Sequence, residues 1–297
     1  MVVGDYQLYR YAPSLAAAIA ATVCFGLITT CHLIHYIAQR TWFFTPFVIG
    51  GMFETIGYIG RIINSQQTPN WTTGPYIMQE LLLLVAPSLF AASIYMILGR
   101  IILVTKGDSR SLIPGRWITR IFVVGDIIAF LAQAGGGGIL SQATTSSQER
   151  LGNWVIIGGL LVQIIFFVLF ILVSGLFHVR MRNHPTRQAR KTRVPWNRFL
   201  GVLYITNGLI LARSVFRVIE FAQETDGALQ RREVWLYVFD GLLMFLVMVI
   251  LLLYHPSRLI REGGRRKGGP KGGREKKGRR RKSSSRRRAE REMIGIV

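Results

Sequence analysis

Apolar residues in this chain gather into seven blocks, at 13–37, 42–63, 76–99, 118–141, 153–178, 198–220 and 233–255, separated by short polar connections. Each block holds about 20 residues or more, enough at 1.5 Å rise per residue to cross a hydrocarbon layer of roughly 30 Å. The blocks lack the frequent charged face of a soluble amphipathic helix. The pattern predicts an all-α membrane protein: a seven-transmembrane-helix bundle over residues 13–256, preceded by a short lead at 1–12 and followed by a tail at 257–297. The first block has no basic stretch before it and is too long for the core of a cleaved signal peptide, so it is expected to stay as the first span.

Composition agrees with this reading. Half of the 297 residues are hydrophobic, and mean hydropathy is +0.33. The net charge of +22 is unevenly spread. Counted over alternate connections, thirty Lys and Arg lie on one side of the seven spans and five on the other. The positive-inside rule then places the N-terminus outside and the C-terminus in the cytosol. The sequon at Asn70 falls in a loop expected outside, which makes Asn70 the glycosylation candidate. The tail from Arg258 carries 17 basic and four acidic residues and almost no apolar ones before Met293. It is expected to be disordered and drawn to anionic lipid headgroups of the cytosolic leaflet rather than to nucleic acid. Ser283, Ser284 and Ser285, set among arginines, are phosphorylation candidates that would offset part of that charge.

Ionisable residues inside spans are costly and usually face the bundle interior, where they pair. The sixth block carries Arg213, Arg217 and Glu220 at i, i+4 and i+7, and the seventh carries Glu233, Tyr237 and Asp240 at the same spacing. Each triplet shares one helix face. Asp240 is expected to pair with Arg213 or Arg217; depth counting puts it level with Arg213, the better partner, and leaves Arg217 nearer the surface, free for Glu54 or a ligand. Glu54, Tyr58 and Arg61 repeat the pattern in the second block. Glu80 opens the third, and Asp126 and Gln133 share a face of the fourth, with Arg100 or Arg120 as expected partners of Asp126. These ten residues (Glu54, Tyr58, Arg61, Glu80, Asp126, Gln133, Arg213, Arg217, Glu220 and Asp240) form the candidate polar ligand-binding site within the membrane.

Pro87 interrupts the third block and frees a backbone carbonyl that a neighbour must satisfy. The run Gly135–Gly138 lacks the lysine and hydroxyl of a phosphate loop and reads as close helix approach or local unwinding. Cys24 and Cys31, about 10 Å apart along one helix, cannot bridge and read as small packing residues. His32, His35, His178 and His255 sit near one end of their spans. With Asp126 they admit a zinc site, and with it an intramembrane hydrolase, as an alternative. The primary reading involves no metal, cofactor or catalytic residue, and is not an enzyme.

Several motifs in order resemble one family: Glu54-x-x-Gly57-Tyr58-x-x-Arg61; Gln79, Ala86-Pro87 and Ala91-Ala92-Ser93-x-Tyr95; Asp126 and Gln133-Ala134-Gly135-Gly136-Gly137; Arg213-Ser214-Val215-Phe216-Arg217-x-x-Glu220; Glu233 to Asp240; and His255-Pro256. Over residues 9–256 the chain resembles the fungal RTA-like ("resistance to aminocholesterol") family of seven-span lipid-translocating exporters. The resemblance implies a plasma-membrane protein, or one of the vacuolar or endoplasmic reticulum membrane. It implies export or tolerance of amphipathic lipids and drugs, such as sphingoid bases or sterol-like ligands, with membrane lipids as partners. The chain carries no nucleotide-binding motif for an ATPase of its own. A seven-span receptor or lipid sensor in stress response is the alternative.

Overall fold

The computed structural model describes residues 13–68, 71–142, 145–192, 195–223 and 232–257. The lead, Asn70, the serines at 283–285 and the basic tail lie outside the described residues. Among those described, all regular structure is helical: α1 (Leu15–Ala38), α2 (Thr45–Gln66), α3 (Thr73–Thr105), α4 (Gly115–Ser141), α5 (Ser146–Asn183), a short α6 (Arg187–Lys191) and α7 (Trp196–Ala222). The last rod is α8 (Glu233–Leu236), a π-helical stretch (Tyr237–Leu242) and α9 (Leu243–Leu253) in continuous succession.

Six of these helices, α2 excepted, are long and apolar enough to cross a membrane, with Glu233–Leu253 counted as one. Their exposed faces are apolar, as at Leu27, Ile34, Ile165 and Leu172. A lipid surround makes such faces favourable, since exposing them to water is costly and helices pair most of their own backbone polar groups. The chain is an integral, multi-pass membrane protein. Helix α2 has 22 residues but buries Glu54, Arg61 and Asn64, and falls outside that set. It nevertheless runs from one end of the bundle to the other. Phe47 near its start packs on His32 near the end of α1, with ring centroids 4.8 Å apart. Arg61 near its end meets Glu233 at the start of α8. We call the end holding Arg61 and Glu233 upper, and the opposite end lower.

Small residues let these helices approach. On α2, a Cβ added to Gly50 would fall 2.8 Å from Phe90, and one added to Gly57 would fall 2.8 Å from Leu83, both on α3. The α4–α5 seam is tighter, because backbone meets backbone. A Cβ on Gly136 would lie 2.8 Å from the Gly152 carbonyl oxygen, and one on Gly159 would lie 2.7 Å from that of Ala129. The run Gly135–Gly138 therefore divides. Gly136 is the close approach, whereas a Cβ at Gly135, Gly137 or Gly138 meets nothing within 4 Å, and the run stays helical rather than unwound. Cys24 and Cys31 are free, as their spacing requires, but they are exposed on α1 rather than packed.

The seam yields a contrast between neighbours. Gly136→Ala and Gly159→Ala should each lower stability by about 1–3 kcal/mol through overpacking. Gly135→Ala and Gly137→Ala should be neutral or stabilising by up to about 1 kcal/mol through helix propensity. Thermal unfolding of the four purified variants in detergent checks this. Equal losses at Gly136 and Gly135 would contradict the packing assignment.

Candidate functional site

The polar residues on α2, α3, α7 and the α8–α9 rod meet in the upper half of the bundle. Asp240 is their centre. One carboxylate oxygen pairs with the Arg213 Nε, and the other accepts from the Arg217 Nη2 at 2.7 Å. Asp240, Arg213 and Arg217 are all buried. A single unpaired charge here would cost several kcal/mol, so the three ions stand or fall together.

Arg213 is engaged on its other side by the backbone of α3. Its Nη2 donates to the Leu83 carbonyl at 2.7 Å. Leu83 lies four residues before Pro87, so its carbonyl is the one that proline, having no N–H, leaves without a helical partner. Helix α3 consequently passes Pro87 unbroken. An intramembrane arginine thus closes a backbone gap and a charge pair at once.

Arg217 fans out toward the upper end. Its Nη1 reaches Glu220 at 3.1 Å, one turn on along α7, and Glu80 of α3 at 3.6 Å. It is therefore committed to Asp240 and Glu220, contrary to the depth argument that left it free. Glu54 is buried beside this group, with Asp240, Arg213 and Arg217 as its charged neighbours.

A second cluster lies above the first. Arg61 donates to Glu233 through Nη2 at 2.8 Å and through Nε at 3.2 Å, and its Nε also reaches the Tyr237 hydroxyl at 3.1 Å. Glu233 further accepts from the Ser14 backbone N–H at 2.9 Å. Ser14 caps α1 through its side chain, so one carboxylate ties together the upper ends of α1, α2 and α8. Glu233 and Tyr237 are absent from the ten candidates, although their shared face with Asp240 marked them. Tyr58 stacks between Phe25 and Tyr237, with centroids 5.2 and 6.0 Å away. A Cβ at Gly241 would fall 2.6 Å from its hydroxyl, so only glycine lets the rod come this near.

The structure thus brings together eight of the ten candidates: Glu54, Tyr58, Arg61, Glu80, Arg213, Arg217, Glu220 and Asp240. Of the other two, Asp126 lies apart and Gln133 shares a cavity lining with Glu80. Gln133 donates to Gln163 of α5 at 3.0 Å, and Gln163 donates to Ser88 of α3 at 3.2 Å. Asp126 is buried against Tyr95 of α3. Neither expected cation reaches it: the Arg100 guanidinium sits 3.8 Å over the Phe43 ring, and that of Arg120 lies over Trp117. Both find aromatic faces nearer the lower end than a carboxylate in the apolar interior.

Three of the four histidines gather near the lower end, and His178 lies apart. His35 and His255 are 5.3 Å apart, and His32 is 6.4 Å from His255. His32 is engaged by the Met248 carbonyl at 3.0 Å. His178 is held elsewhere by Asn197 at 2.6 Å and Tyr204 at 3.2 Å. Burial, with His35 nearby, pushes the His255 imidazole down to about 4, so it is neutral at physiological pH. Among the described residues, no group of three or more His, Cys, Asp or Glu is placed to hold a metal ion.

Comparison with known proteins gives a consistent match. The family model described as "RTA1 like protein" matches residues 47–263. Protein RTA1 of Saccharomyces cerevisiae is 35% identical over 86% of this chain and 87% of its own length. Protoporphyrin uptake protein 1 of the same species is 36% identical over 82% and 90%. Sphingoid long-chain base transporter RSB1, also from that species, is 26% identical over 82% and 72%. No solved structure matches.

The bond to the Leu83 carbonyl predicts coupling between Arg213 and Pro87. Pro87→Ala restores an N–H for Leu83, so it should soften the stability loss caused by Arg213→Gln. The coupling should fall within about 0.5–3 kcal/mol, the range for directly interacting residues. A double-mutant cycle on thermal unfolding in detergent measures it, and additive effects would show that Arg213 does not stand in for the missing N–H.

Proposed function

The chain belongs to the RTA1-like family, and from that premise we propose that it translocates or exports amphipathic lipids carrying a cationic amine, without an ATPase of its own and without catalysing a chemical change. The observation that carries this reading is where the groups of the buried network sit, with arginines inside and carboxyl groups at the accessible edge. Three guanidinium groups, Arg61, Arg213 and Arg217, face five carboxyl groups, Glu54, Glu80, Glu220, Glu233 and Asp240. The arginines are nearly fully buried, whereas the side chains of Glu80, Glu220 and Glu233 are 26%, 14% and 15% exposed. The accessible groups are thus carboxylates backed by arginines, a surround that accepts one more cation and repels an anion. A sphingoid base has that charge and shape. The name of the RSB1 relative supports this class of cargo, and tolerance of sterol-like compounds or drugs would follow from the same site accepting related amphiphiles.

This reading takes α2 as a seventh span, since α2 runs between the same two ends as its neighbours. It takes residues 13–256 as the transport unit, the upper end as external and the plasma membrane as the location. The positive charge concentrated in alternate connections supports that orientation. The carboxylates then face the outer leaflet, where an exported amine would be released.

Two measurements test the proposal. Purified protein reconstituted into vesicles should speed transbilayer movement of a fluorescent sphingoid base over protein-free vesicles, and leave a fluorescent phosphatidylcholine unaffected. Binding of the base without any flux would favour a lipid sensor, and neither binding nor flux would reject the proposal. In cells, a tag before Met1 should be reached by external protease and a tag after Val297 should be protected. Both tags on one side would exclude seven spans.

A further inference from the structure

Gly137 and Gly138 lie close to the C-terminal end of α4, and a Cβ added to either would meet nothing within 4 Å among the described residues. Glycine weakens a helix relative to alanine, so two such residues beside a third that does pack call for another reason. The space they leave is a cavity of about 150 Å³, partly open, between α3, α4, α5 and α7. Leu84, Ile156 and Phe221 give it apolar walls, Gly137 and Gly138 line it on the α4 side, and Glu80 stands at its border.

Glu80 joins this cavity to the charged network. Its Oε2 lies 3.6 Å from the Arg217 Nη1, the longest contact in the network, and its Oε1 accepts from the Gln79 Nε2 at 3.2 Å. It is also the most exposed of the paired carboxylates. An apolar slot of this volume is known to admit a benzene-sized group elsewhere, so it suits part of an alkyl chain but not a two-chain lipid.

We propose that this cavity takes the alkyl chain of a single-chain cationic amphiphile with its amine at Glu80, and that Gly137 and Gly138 set how much chain enters. The inference rests on the amine-lipid reading above and adds where the chain lies and what limits it. A Cβ at 137 or 138 meets open space and both positions line the cavity, so larger side chains there take up its volume. Each methylene kept out of an apolar site costs about fourfold in affinity.

The test is equilibrium binding of sphingosine to the purified full chain in nanodiscs, for the native protein and for Gly135→Leu, Gly137→Leu and Gly138→Leu. Gly135 belongs to the same run but is exposed and outside the cavity, so its variant controls for altering the glycine run. Blocking two or more methylenes should weaken binding at least about tenfold in the Gly137 and Gly138 variants. The Gly135 variant should match the native protein, and dodecylamine, whose chain also overfills the slot, should lose about as much as sphingosine. A Leu84→Trp variant gives a second measurement: an amine with a brominated chain should quench its fluorescence more than that of the native protein, whose six tryptophans all lie outside the cavity lining. Native binding that is unchanged by either cavity variant, equally reduced by all three, or without quenching at position 84 would overturn the chain's placement and leave the transport proposal standing. Absence of any sphingosine binding by the native protein would overturn both.

Discussion

The rest of the site depends on one carboxylate shared between two guanidinium groups where water is scarce. Asp240 cannot be ionised alone at that depth, and neither can Arg213 or Arg217. Each satisfies the others, and the set draws three helices to fixed positions: the last rod through Asp240, α7 through its arginines and α3 through the Leu83 carbonyl. Apolar contact between lipid-soluble helices has little driving force of its own, since the alternative is lipid rather than water. Polar groups that must find partners supply direction and register. The Arg61–Glu233–Ser14 contact does the same for α1 and α2 at the upper end.

Much of this was legible because the constraints are severe. An arginine, an aspartate and a proline inside apolar blocks each demand a partner, and the helical periods of α7 and the last rod left few choices. Depth counting found Arg213 for Asp240, and Pro87 announced an unsatisfied carbonyl. The count then failed for Arg217 because it assumed one partner per charge, whereas a carboxylate has two oxygens and takes both arginines. It failed for Asp126 because nothing in spacing says that Arg100 and Arg120 will prefer the faces of Phe43 and Trp117. Glu233 stood at a span boundary, where a carboxylate can satisfy itself in water, so its sequence position did not demand Arg61. The four glycines at 135–138 look alike in the sequence. Only the neighbouring helix shows that one is a contact and two line a cavity.

Charge and shape are divided between different residues. The network sets sign, through carboxylates at the accessible edge and arginines behind them. The slot between α3 and α4 is apolar, and its openness comes from missing side chains rather than from a cleft between domains. Glu80 is the residue common to both. A molecule with an amine at one end and a chain behind it satisfies the two regions together, whereas a small cation uses only the first.

The π-helical turn at Tyr237–Leu242 has a consequence for phase. A π turn holds one more residue than the α turn it replaces, so the residues beyond it are rotated by about 100° from the positions an uninterrupted α-helix would give them. Below the turn, Met244, Val247, Met248 and Leu251 are buried in the core; above it Glu233 points to Arg61, and within it Tyr237 reaches Arg61 and Asp240 the arginines of α7. The polar half and the apolar half of this rod obey two helical periods that do not share an origin, and the turn is the splice that joins them. Deleting one residue there would keep every contact type available in the sequence, yet bring only one half at a time into alignment.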